Sequence, residues 1–131
     1  GGFTRLIQSM ALGVELALSR DVETSELFVE KEGEKVLVTR EPRSTGEKPV
    51  VRMFVVVKKM PARAPLKVFR KYLELGWQSG SGVGVVKRDE FDYLCCYETQ
   101  LQPTFDRDEF PFHLHRLVGL SKSLRAVKNK A

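Results

Sequence analysis

The densest apolar run in the chain spans Val50 to Val57, broken only by Arg52 and bracketed by Pro49 and Pro61. A strand with one wet face alternates apolar and polar residues. A β-branched run with one interruption therefore predicts a central strand covered on both faces. Around it the periodicity changes. Phe3, Leu6, Ile7, Met10, Val14, Ala17 and Leu18 recur at three- and four-residue spacing and predict a first helix, with Leu12 and Leu16 lying off its stripe. Residues 21–25 form a polar break. The runs 26–30 and 35–39 then flank Glu32-Gly33, a turn signal between two short strands. A polar loop over 42–49 leads into the central strand.

Pro65 suits the first turn of a second helix, whose apolar positions are Leu66, Val68, Phe69, Tyr72, Leu73 and Leu75, with Gly76 expected as its C-cap. Gly80, Gly82 and Gly84 lead into a strand over Val83 to Lys87. Arg88, Asp89 and Glu90 turn the chain into a strand from Phe91 to Leu101. Thr104, Asp106 and Asp108 offer capping oxygens for a last helix, and Pro111 fits its first turn. Phe110, Leu114, Leu117, Val118, Leu120, Leu124 and Val127 form its apolar stripe. The expected architecture is one α+β domain over residues 1–131. Its antiparallel sheet has about five strands, it has three helices, and its order is α-β-β-β-α-β-β-α. A chain of 131 residues can bury roughly two thirds of its unfolded surface in one core without disulfide support.

No apolar run approaches the length of about 20 residues needed to span a bilayer, and a removed targeting peptide would leave no trace. Cys95 and Cys96 are the only cysteines, and as strand neighbours they point to opposite faces. They predict no disulfide framework and an intracellular, reducing compartment, cytoplasm or organelle matrix. The net charge is +5, and after Glu109 the chain carries Arg116, Lys122, Arg125, Lys128 and Lys130 with no acidic residue. A second basic group comprises Lys58, Lys59, Arg63, Lys67, Arg70 and Lys71. Together they mark a basic patch suited to nucleic acid, anionic lipid or an acidic protein, or else a solvated face and a complement to a helix C-terminus.

Catalytic chemistry finds little footing. The glycines at 80, 82 and 84 follow a helix and precede a strand, the reverse of a phosphate-binding loop. His113 and His115 lie about 200° apart on a helix and cannot share a metal, and adjacent cysteines have no chelating spacing. The carboxylates fall in turns or on solvated strands. We expect no catalytic residues, no metal site and no cofactor. Tyr93, Tyr97, Phe91 and Trp77 raise single-strand nucleic-acid stacking, although only Lys87 and Arg88 stand near them in sequence.

The element order, Gly82-Val83-Gly84-Val85, the run Tyr93-Leu94-Cys95-Cys96-Tyr97 and Leu101 resemble the fourth and fifth strands of class I chaperones of type III secretion. Those proteins are usually acidic, whereas this chain has a pI near 9.4. The resemblance implies a homodimer that uses the second helix in its interface and binds an extended partner segment. Leu66, Val68, Phe69, Tyr72 and Leu73 are the candidate interface. The reading is therefore a non-enzymatic, chaperone-like or adaptor module with a protein partner. A nucleic-acid-binding or ribonucleoprotein-associated role through the basic groups is the alternative.

Overall fold

Two tight turns set the frame of the sheet. Glu32 and Gly33 have φ of 52° and 82°, and Asp89 and Glu90 have φ of 51° and 70°. Two consecutive left-handed residues match the right-handed twist of the strands they join, so each pair closes a hairpin. The computed structural model describes residues 17–20, 27–41, 50–101 and 109–128. Its strands are β1 (Ala17–Arg20), β2 (Leu27–Lys31), β3 (Glu34–Glu41), β4 (Val50–Lys59), β5 (Gly82–Arg88) and β6 (Phe91–Leu101). Its helices are α1 (Leu66–Ser79) and α2 (Glu109–Ala126). All strand pairs are antiparallel in one six-stranded sheet of order β1-β2-β3-β4-β6-β5.

The α+β class and the antiparallel sheet are as expected. Ala17 and Leu18, read as the end of the first helix, pair instead with Glu30 and Val29 as part of an additional edge strand. The remainder of that helix and the capping residues at 104, 106 and 108 lie outside the described residues. The two described helices both serve one core, on one side of the sheet. Phe110, Leu114, Leu117, Val118 and Leu124 of α2 pack onto Val29, Val36, Val38, Met53, Val55, Leu94 and Cys96, and Val68 and Tyr72 of α1 join them.

The central strand departs from its expected double cover. In β4, Val51, Met53, Val55 and Val57 are buried, whereas Phe54 is half-buried and Val56 is 41% exposed. The strand alternates in environment although its residues do not alternate in polarity. Its outward residues keep an apolar character that no helix among the described residues covers.

A bulge lies between Val56 and Lys58. The extra residue turns Val57 and Lys58 toward the helices together. Lys58 Nζ donates to the backbone carbonyl of Val127 at 2.7 Å and reaches that of Arg125 at 3.5 Å. An ammonium there satisfies carbonyls at the end of α2 and complements the negative end of its dipole. Burial, and then the nearby Arg125, draws the Lys58 pKa below the usual lysine value.

α1 runs a turn further than its sequence signal. Gly80, at φ 80°, is the left-handed residue that ends it, donating to the Gly76 carbonyl at 2.9 Å. Gly76 is needed for a different reason: a Cβ there would stand 2.6 Å from Cγ2 of Val83. Helix and strand can touch at this point only because one partner has no side chain. Gly76→Ala should therefore destabilise the protein by about 1–2 kcal/mol, since overpacking outweighs the roughly 1 kcal/mol that alanine gains in a helix. Urea denaturation measures it. Adding Val83→Ala should recover part of the loss, and an unchanged midpoint for Gly76→Ala would contradict the contact.

Candidate functional site

α1 presents two unlike faces. Val68, Tyr72 and Gly76, four residues apart, point inward and are buried, with Phe69 half-buried and edge-on to Tyr72 at 6.4 Å between ring centroids. Val68 and Tyr72 thus belong to the core and not to a surface available to a partner. The outer face carries Leu66 at 67% exposure, Leu73 at 61% and Trp77 at 87%. Those spacings, seven and then four residues, align along one side of a helix. Trp77, read from the sequence only as a stacking candidate, is missing from the expected interface because Gly76 has the signature of a helix end. The apolar residue beyond it then read as a connection.

The basic group divides on inspection of its partners. Lys58 is turned inward to the end of α2. Arg125 donates to Glu34 at 2.9 and 3.3 Å, where buried Ser121 also donates, at 3.1 Å. Arg116 forks onto Glu98, a buried residue, through Nε at 3.3 Å and through a second hydrogen bond from Nη2. Lys122 pairs with Glu32 at 3.4 Å. So Arg116 and Arg125 fasten α2 to the strands, and Lys122 adds an exposed pair with the turn between β2 and β3. Lys128 is exposed beyond α2. On and before α1, Arg63, Lys67, Arg70 and Lys71 are exposed, with Lys71 3.7 Å from Glu74.

Opposite the helices, strand register assembles an apolar row across four strands: Phe28 beside Leu37, Leu37 beside Phe54, and Phe54 beside Tyr97. Tyr97 lies over Gly82 of the edge strand, where a Cβ would meet the ring at 2.4 Å. On the same face, Val56 stands beside Cys95 and Tyr93 beside Val86. Phe54, Val56, Val86 and Tyr93 wall an open bowl of about 470 Å³, with Lys87, Arg88 and Asp89 at its rim. The sequence did not bring these residues together, because β4 and β6 are neighbours only after α1 and β5 have intervened.

The two histidines stand in different settings. His113 Nδ1 lies 3.0 Å from Glu98 Oε1 and its Nε2 contacts the Gln100 amide, so both ring nitrogens are engaged. His115 is exposed. No group of three potential metal-ligating side chains occurs among the described residues. Burial pushes the Cys95 thiol up to about 11. Burial, and then the negative neighbours Cys95, Glu34 and Glu98, pushes Cys96 up to about 12. Both cysteines are unpaired. A thiol held protonated is a poor nucleophile at neutral pH.

No family model and no curated protein matches the sequence. Solved structures do. A chain of the HopA1–SchA chaperone–effector complex superposes with TM-score 0.67 at 9% identity, over 95% of this chain and 94% of that one. YbjN from E. coli, a candidate transcription regulator, superposes with TM-score 0.62 at 7% identity, over 91% and 86%. At such identities the likeness is one of fold. The resemblance to type III secretion chaperones holds at that level.

The thiols make a direct test of this packing. Their raised values mean that keeping them protonated contributes stability below the ordinary thiol pKa of about 8.5. That contribution is lost as pH rises through about 11 and 12. Unfolding free energy should therefore fall above about pH 9, with a shallower fall in Cys96→Ala. At pH 8 the folded protein should react with a thiol reagent at least about tenfold more slowly than the unfolded chain. Prompt reaction of both thiols in the folded state would refute their burial.

Proposed function

We propose that this chain is a non-enzymatic protein-binding module, chaperone-like or adaptor in role. It forms a dimer through the outer stripe of α1 and engages an extended segment of a partner. The observation that carries the reading is that stripe: Leu66, Leu73 and Trp77, three large apolar side chains on one helix face, all more than half exposed. Large apolar groups aligned on a helix and left in water mark an interaction surface rather than a solvated face. Lys67, Arg70 and Lys71 border it together with Glu74. Two copies crossing antiparallel about a two-fold axis can therefore set acid against base beside the apolar contact. A two-fold pairing of one patch with itself is the commonest soluble assembly.

Two further features support an extended partner. β5 pairs with β6 on one side and with no described strand on the other, leaving backbone groups that an added strand can pair. The fold is also shared with a chain from a chaperone–effector complex. Among the described residues no helix is long and apolar enough to cross a membrane. Residence in a reducing compartment is part of the proposal, resting on the two unpaired thiols.

Trp77 is the only tryptophan, so its emission reports on this surface alone. Sedimentation should find a dimer at tens of micromolar, and dilution should shift tryptophan emission to the red as the ring regains water. Leu73→Glu should give a monomer with unchanged thermal unfolding measured at high dilution, because the side chain lies outside the core. A wild-type monomer at these concentrations, or a dimer indifferent to Leu73→Glu, would refute the assembly.

A further inference from the structure

The sheet face opposite the helices carries cations as well as aromatic rings. Lys35 lies over the Phe28 ring at 4.3 Å from its centroid, and Lys59 over Phe91 at 3.3 Å. Arg88 is the register partner of Phe91, and Lys59 that of Tyr93. Arg52 lies between Thr39 and Thr99 and donates to the Thr99 hydroxyl at 3.3 Å. Among the described side chains of this face, Glu30, opposite Lys35, is the carboxylate set among these cations, and Asp89 stands at the rim of the bowl.

Along β6 and its two neighbours the residues follow an order. From one end they run Arg52 with Thr99, then Phe54 with Tyr97, then Val56 with Cys95, then Lys59 with Tyr93 and Val86, then Arg88 with Phe91. From Thr99 to Phe91 this track covers about 26 Å at the rise of an antiparallel strand. Aromatic rings stand at three of its five stations and positive charge at three, the last two carrying both, and the bowl beside Phe54 and Tyr93 lies midway.

We propose that this open sheet face binds single-stranded nucleic acid. Bases stack on Tyr97, Tyr93 and Phe91, and phosphates meet Lys35, Lys59 and Arg88. Stacking on sheet aromatics tolerates any base, because every base offers a flat π-face, and flanking cations hold the backbone. The charge balance selects a polyanion over a neutral apolar segment, and exposed rings select one with flat groups over a plain acidic chain. Tyr97 is 38% exposed and Phe91 47%. The site lies across the sheet from α1, so the proposal stands independently of the dimer.

Fluorescence anisotropy with labelled 12-nucleotide oligo-U and oligo-dT decides it, the two arms separating RNA from DNA as the ligand. At ~50 mM salt the expected affinity is micromolar, weakening with salt at a log–log slope of about −2 for three phosphate contacts. The double variant Lys59→Gln with Arg88→Gln should lower that slope by more than one. Tyr97→Ala should weaken binding about tenfold, and Tyr97→Phe should restore it, since the ring and not the hydroxyl stacks. Phe91→Ala, at an exposed strand end, gives the same answer should Tyr97→Ala disturb the contact with Gly82. Circular dichroism confirms that each variant is folded. The double variant Lys67→Gln with Arg70→Gln, on α1, should bind as wild type. Absence of binding at ~50 mM salt overturns the proposal. So does binding that survives loss of both rings but not of the α1 cations. Displacement of the oligonucleotide by polyglutamate at equal charge would also overturn it, assigning the face to an acidic polypeptide.

Discussion

Everything in this molecule depends on how α2 is seated on the sheet, and two buried carboxylates determine that seat. Glu34 of β3 receives Ser121 and Arg125, and Glu98 of β6 receives Arg116 and lies beside His113. Apolar burial drives the helix onto the strands, but it is non-directional and would tolerate a slide or a rotation. Charge-assisted hydrogen bonds from both halves of the helix, to strands on either side of β4, permit only one register. With α2 fixed, α1 has a wall to rest on and β5 has α1 above it.

Much of this frame is legible in the sequence. β2, β3, β5 and β6, both hairpin turns and the stripe of α2 follow from alternation, turn residues and helical spacing. The failures have physical causes. Val50 to Val57 reads as covered twice because apolar content reports what a side chain tolerates and not what covers it. Phe54 and Val56 are outward yet apolar. Ala17 and Leu18 continue a helical spacing by composition, but long-range pairing with β2 makes them a strand. Gly76 carries the signature of a helix end and is instead a point of close approach. The basic residues after Glu109 look like a free tail because their acidic partners lie on other elements, Glu98 on β6 for Arg116 and, 91 positions away, Glu34 on β3 for Arg125. Trp77 and the aromatic row across β2, β3, β4 and β6 are sites of the same kind. Each becomes visible only when the fold decides which side of an element faces out.

Among the described residues, the two surfaces left open are unlike in character and separate in space. One is a narrow stripe on the outside of the helical layer, aliphatic with a terminal indole. The other is a broad sheet face with aromatic rings and cations interleaved. The core lies between them, so occupation of one does not cover the other, and a partner on each side is sterically compatible.

The bulge in β4 gives a single residue unusual leverage. Before it, even-numbered residues such as Arg52, Phe54 and Val56 look toward the open face; after it, Lys59 does, while Lys58 is directed into the helical layer. Two consecutive lysines thus act on opposite sides of one strand, one closing the end of a helix and the other standing over an aromatic ring. Replacing either changes one surface only. A β4 that ran on through Val57 without the bulge would exchange the two, withdrawing the clasp from α2 and sending the charge of Lys59 inward. Strand length at this point, counted in single residues, is as much a part of the molecule's specification as the identity of any side chain.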